Sequence, residues 1–108
     1  MGDRICLSFV NDRFRERSPC LYAHWAGMDL LDYAQEFWGE YHDRIRDEPS
    51  NVMVNFISYL RGGRVEDGSY YLYKDEDHAC SPDDNGFWEF DTATGQYRQY
   101  RPHEWERE

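Results

Sequence analysis

Residues 20–33, "CLYAHWAGMDLLDY", join a run of β-formers to an acidic, aliphatic segment through a glycine. "CLYAHW" alternates as a strand does, which places Leu21, Ala23 and Trp25 on one face and Cys20, Tyr22 and His24 on the other. The first face reads as core, Trp25 included, and the second as the polar one. Gly27 ends the strand. Beyond it Leu30, Ala34, Phe37, Tyr41 and Ile45 recur every three or four residues, the spacing of one helical face, and predict a helix over 29–46. Asp29 is placed to cap its first turn, and Asp32 adds charge of the favourable sign at the positive end of the helix dipole. Gly39 costs about 1 kcal/mol of helix propensity against alanine, which points to close packing there.

Working outward, "RICLSFV" (4–10) is short, rich in β-formers and bounded by polar residues, and reads as the first strand. The segment 11–19 breaks that pattern with Asn, Asp, Ser and Pro, so it predicts a loop or wide hairpin connection, and it carries Arg13, Arg15 and Arg17 as the one basic patch. After the break "EPSN", the run "VMVNFISYL" sets Val52, Met53, Phe56, Ile57 and Leu60 on a helical face that Gly62 and Gly63 end. "YYLYK", "GFWEFD" and "QYRQY" are strand candidates, the last two around the turn "TATG". The order ββααββ, with a further strand, implies an α+β sandwich: a mainly antiparallel sheet with two helices packed on one face. A chain of 108 residues fits one such domain over 1–108, with the tail 101–108 expected to fray.

The charge is strongly negative, with 22 acidic residues against 12 basic ones and a formal net charge of −10. It is also uneven: positions 29–48 hold seven acids and two arginines, and 66–91 hold nine acids and one lysine. A field of that sign repels nucleic-acid phosphate and attracts basic protein surfaces, including grooves that themselves bind nucleic acid. No apolar run approaches the roughly 20 residues that cross a bilayer, so the expectation is a cytoplasmic protein without membrane contact. Three cysteines, Cys6, Cys20 and Cys80, make an odd count without a close pair and predict reduced thiols.

For chemistry, His24 stands just ahead of a helix N-terminus, where ligand sites form, although Asp29 at that terminus competes with any anion. Cys20-x3-His24 with His78-x-Cys80 is a donor set that zinc accepts. Residues four apart on a strand lie about 13 Å apart along it, which argues against one shared ion. "KDEDHACSPDDNG" (74–86) concentrates Asp75, Glu76, Asp77, Asp83 and Asp84 without the register of a calcium loop, and its simplest use is mimicry of phosphate toward a basic partner. The element order is shared with the N-terminal nucleophile hydrolases, yet Cys6 follows five residues that would have to be removed. No nucleophile elbow, phosphate-binding glycine loop or His-Glu-x-x-His occurs. Four Trp, nine Tyr and six Phe exceed what one small core hides, so some are surface residues of the kind found at interfaces.

The stretch around Tyr22 resembles a family of small uncharacterised proteins of phages, prophages and archaea, whose early strand reads Tyr-x-His-Trp-Gly-Gly before an acidic-aliphatic helix. Tyr22, His24, Trp25 and Gly27 match, and Ala26 stands where a glycine is usual. The resemblance implies a viral or mobile-element origin and no mechanism.

The leading expectation is therefore a small, acidic, non-enzymatic protein-binding domain, acting on a host or viral protein with a basic surface, such as a defence or nucleic-acid-binding protein. Its contact residues would be Tyr71, Tyr73, Asp75, Glu76, Asp77, Asp83 and Asp84. The alternative is a small-ligand or nucleotide-binding domain centred on Tyr22, His24 and Asp29, and the third is a hydrolase using Cys20 or Cys6 with His24. No catalytic residue, metal or cofactor is assigned and no direct nucleic-acid contact is expected. Self-association through a sheet face or edge leaves a homodimer open.

Overall fold

A computed structural model describes residues 3–63, 70–75 and 85–100. The elements are β1 (Ile5–Asn11), β2 (Glu16–Arg17), β3 (Cys20–Ala23), α1 (Asp29–Tyr41), α2 (Pro49–Arg61), β4 (Tyr70–Tyr73), β5 (Phe87–Asp91) and β6 (Gln96–Tyr100). They form the predicted α+β domain, one sheet with two helices. The strand order is β4-β3-β1-β5-β6, with the short β2 pairing with β1 beside β3. All pairings are antiparallel except β1 with β5, which run parallel because the two helices lie between them in the chain.

The predicted connection 11–19 is a hairpin with a turn at 12–15. Arg15 closes the turn with φ 50, in the left-handed region. Val10 pairs with Arg17, whereas Leu7 pairs with Leu21, so the returning strand holds one extra residue and Phe9 faces both Ser18 and Pro19. Pro19 has no N–H to give the ladder. Ser18 serves instead, its N–H donating to Phe9 O at 2.8 Å and its Oγ accepting the Phe9 N–H at 2.9 Å. The bulge keeps Arg17 and Cys20 on the same sheet face although they are three residues apart.

Odd-numbered residues of β1 and β3 (Ile5, Leu7, Phe9, Leu21, Ala23) join Phe90 against the helices. Into this layer α1 buries Leu30, Leu31, Ala34 and Phe37, and α2 buries Val52, Met53 and Phe56. Phe56 is the hub, with ring centroids 5.5 Å from Phe9 and 5.4 Å from Phe37. Burying one such side chain is worth about 1.5–3 kcal/mol. The helix starting at Asp29 ends at Tyr41, and Ile45 reaches the core from the turn that follows.

Three expectations need correction. Trp25 is 58% exposed, because β3 stops at Ala23 and the chain turns before the alternation reaches it. Asp29 makes no capping bond, since Met28 is the N-cap and no side chain serves there. Around Gly39 a Cβ would meet nothing within 4 Å, so no close packing explains that glycine. No helix among the described residues is long and apolar enough to cross a membrane.

Candidate functional site

The sheet face turned away from the helices is not polar, as the alternation of 20–25 suggests, but largely buried: Cys20 is 0%, Cys6 1% and Tyr22 4% exposed. Its side chains cover one another in rows set by the register. One row runs Tyr71, Tyr22, Cys6, Phe87, Tyr100 from edge to edge. The Tyr22 ring packs beside those of Tyr71 and Tyr73 at 5.7 and 6.2 Å, and those two stack on each other at 6.2 Å.

Two groups of residues that appear separate along the chain thus form one cluster. Tyr22 shares a hydrogen bond of 2.8 Å between its hydroxyl and His24 Nδ1, and the Trp25 ring meets His24 edge-on at 4.7 Å. The turn below them is pinned by Asp3, whose N–H donates to His24 O at 2.7 Å and whose carbonyl accepts the Gly27 N–H at 2.8 Å. Gly27 has φ +58, and a Cβ there would lie 2.1 Å from Asp3 Oδ2, so this turn requires glycine. Asp29 begins α1 and is exposed, and no described contact joins it to Tyr22 or His24.

On the other side of Tyr22, β4 forms the edge of the sheet among the described residues, and Tyr71 is 45% and Leu72 52% exposed. An apolar groove of about 160 Å³ lies between β4 and the end of α2, lined by Leu21, Ile57, Leu60, Arg61, Tyr70, Tyr71 and Leu72. Asp75 follows this edge; Glu76, Asp77, Asp83 and Asp84 lie outside the described residues, as do His78 and Cys80. A larger cavity of about 360 Å³ separates the helices, walled by Phe37, Tyr41, Ile45 and Tyr59. Burial, with Glu36 and Glu40 nearby, raises the Tyr59 phenol above its ordinary range.

The negative charge divides between surfaces. Asp29, Asp32, Glu36 and Glu40 repeat at three and four residues along exposed α1, with no basic residue in its last turn. Glu89, by contrast, is removed from the surface: Arg17 Nη2 donates to its Oε2 at 2.6 Å and Arg98 Nε to its Oε1 at 2.5 Å, with the carboxylate side chain 3% exposed. The hydrogen bond from Arg98 to Glu89 raises that guanidinium's affinity for its proton. The Arg17 guanidinium also lies 4.7 Å over the Tyr100 ring.

Of the candidate nucleophiles, Cys20 Sγ is 3.2 Å from Ser8 Oγ in a buried pair, and His24 Nδ1 is engaged by Tyr22. Sequence reasoning missed Leu72 and Trp25 as surface residues and the Arg17–Glu89–Arg98 cluster. The available signal for the last was an acid alternating with aromatics in "FWEFD". Comparison of the chain with protein-family models, with curated proteins and with solved structures finds no match.

Proposed function

We propose that this chain is a non-enzymatic protein-binding domain of viral or mobile-element origin that engages its partner along β4 and the tyrosines behind it. The observation that carries the reading is the edge strand itself: Tyr71 and Leu72 stand about half exposed on opposite sides of it, beside an apolar groove of about 160 Å³. An edge strand offers backbone pairing, and alternate side chains that fill a neighbouring groove supply specificity. Tyrosine and tryptophan are the residues that most often anchor interfaces, and Trp25 extends the same aromatic surface. The acids at 75–77 and 83–84 in the sequence select a partner with a basic surface and speed its approach. A host defence nuclease or another nucleic-acid-binding protein has that chemistry, and blocking its groove would inhibit it.

The test is capture of a partner from host lysate at low and high salt by three proteins: wild type, Tyr71→Ser with Leu72→Ser, and Asp75, Asp77, Asp83 and Asp84→Asn. The reading expects a partner with a basic surface that both variants lose and that salt releases. Equal capture by the wild type and both variants would refute it. Replacing Asp32, Glu36 and Glu40 on α1 by Asn and Gln should leave capture intact, since that stripe lies on the helix layer.

A further inference from the structure

The helix-free face holds a second constellation, which straddles β1 from β2 to β5 and β6. One buried carboxylate, Glu89, meets two guanidinium groups, Arg17 and Arg98, so the trio carries one net positive charge. A cavity of about 220 Å³ opens over it, lined by the trio and by Val10, Asp12, Arg15 and Glu16.

Three details suit this cavity to an anion in an otherwise acidic protein, and one opposes it. The Arg15 backbone is held at φ 50, a conformation that side-chain-bearing residues rarely adopt, and its guanidinium makes no hydrogen bond or ion pair among the described residues. Arg98 uses Nε on Glu89, and its terminal nitrogens make no bond among those residues. Glu16 is turned away, its carboxylate accepting the Ser50 N–H at 3.1 Å and hydroxyl at 3.3 Å. That leaves Asp12 as the one lining carboxylate with no hydrogen-bond donor among the described residues. The net charge of −10 opposes anion entry, and although screening limits that field to about 8 Å at physiological salt, the lining itself sums to zero, three arginines against Asp12, Glu16 and Glu89, so the affinity comes from direct donation by Arg15 and Arg98 and not from a positive field.

We propose that this cavity binds a phosphate-class oxyanion, with Arg15 and Arg98 donating to it and Glu89 positioning Arg17 and Arg98. Donors arriving from the 12–15 turn and from β6 suit an ion whose acceptors point in several directions better than a planar carboxylate, which one arginine satisfies. A volume of about 220 Å³, roughly seven waters at about 30 Å³ each, has room for the group that carries the phosphate. This site is independent of the protein-binding reading, and either can fail without the other.

The test is NMR titration of the full chain with inorganic phosphate, phenyl phosphate and acetate at constant ionic strength near 0.15 M, following the amides of 12–17 and the Arg Nε–H signals. Saturable shifts at Arg15 and Arg98 are expected, weaker for acetate than for phosphate. Arg15→Gln and Arg98→Gln should each weaken phosphate binding about tenfold, the effect of losing one charge-assisted hydrogen bond, and Asp12→Asn should tighten it. Tighter binding of phenyl phosphate than of phosphate identifies a phosphate monoester as the source, and equal binding identifies the free ion. Shifts that do not saturate, acetate binding tighter than phosphate, or affinities unchanged by Arg15→Gln or by Asp12→Asn would overturn the proposal. Arg15 is exposed in a turn, so its variant keeps the fold even if Arg98→Gln weakens it.

Discussion

Replacing Glu89 by Gln keeps the shape of the side chain and removes its charge. In the wild type the carboxylate, 3% exposed, accepts from Arg17 at 2.6 Å and Arg98 at 2.5 Å, with those side chains 35% and 79% exposed. Gln keeps one acceptor oxygen, so one arginine retains a bond while the other faces an amide NH2 that cannot accept; losing one hydrogen bond to a charged group costs about 1.5–3 kcal/mol. Two effects reduce that loss. The neutral amide is cheaper to bury, and the mostly exposed Arg98 contributes little, as surface ion pairs do. A net destabilisation of about 2 kcal/mol remains, a large share of the 5–15 kcal/mol typical of a domain. It lowers the melting temperature by roughly 8–16 °C for a chain of this size. Urea denaturation at neutral pH measures it directly, and Arg98→Gln should cost less than Glu89→Gln. In the double variant the two losses should fall short of additive, because the second substitution removes a bond already weakened. A Glu89→Gln protein within about 0.5 kcal/mol of the wild type, the range of ordinary surface substitutions, would refute the assignment of Glu89 as a buried, paired carboxylate.

The glycines of the first helix region should behave oppositely. Gly39→Ala fills open space in α1 and should stabilise by about 0.5–1 kcal/mol, whereas Gly27→Ala meets Asp3 in the left-handed region and should destabilise by about 2 kcal/mol or more; thermal melts of the two variants check the contrast. Phe56→Ala should cost about 3–5 kcal/mol, as for other fully buried phenylalanines, and a loss under about 1 kcal/mol by urea denaturation would contradict its place as hub. The raised Tyr59 phenol means that the folded state holds this proton more tightly than the unfolded state. Its stabilising contribution is complete below the ordinary value of 10.0 and is lost as pH rises through the higher folded value. Melting temperatures above that pH should therefore fall less steeply in Tyr59→Phe than in the wild type.

Much of the architecture was legible locally. The three-and-four spacing of Leu30, Ala34 and Phe37 and of Val52, Met53 and Phe56 reports the buried stripes of α1 and α2, because helical periodicity is a property of the segment itself. The same holds for β1, β5 and β6, whose β-formers and flanking turns mark them without reference to their neighbours. Grouping strands at both ends of the chain around two helices was enough to place both helices on one face of one sheet.

What the chain could not reveal by itself depends on pairings between distant residues. Tyr22 and Tyr71 become neighbours only because β4 adds beside β3, which brings Tyr22, the hydrogen-bond partner of His24 in one candidate site, against Tyr71 and Tyr73 of the other. Alternation misplaced Trp25 because a strand's period says nothing about where the strand ends, and Asp3 ends this one by bonding His24 and Gly27 from another part of the chain. Glu89 counts as one more acid in a negative segment until Arg17 reaches it from 72 residues away, and the bulge at Ser18 and Pro19 is what turns Arg17 to that face. Composition and periodicity thus determined the two helices, the main strands, the net charge and most of the helix-facing core of this protein. The tertiary structure alone decided which charges are buried and which aromatics meet, because burial and ion pairing are energies of contacts between segments rather than of any segment alone.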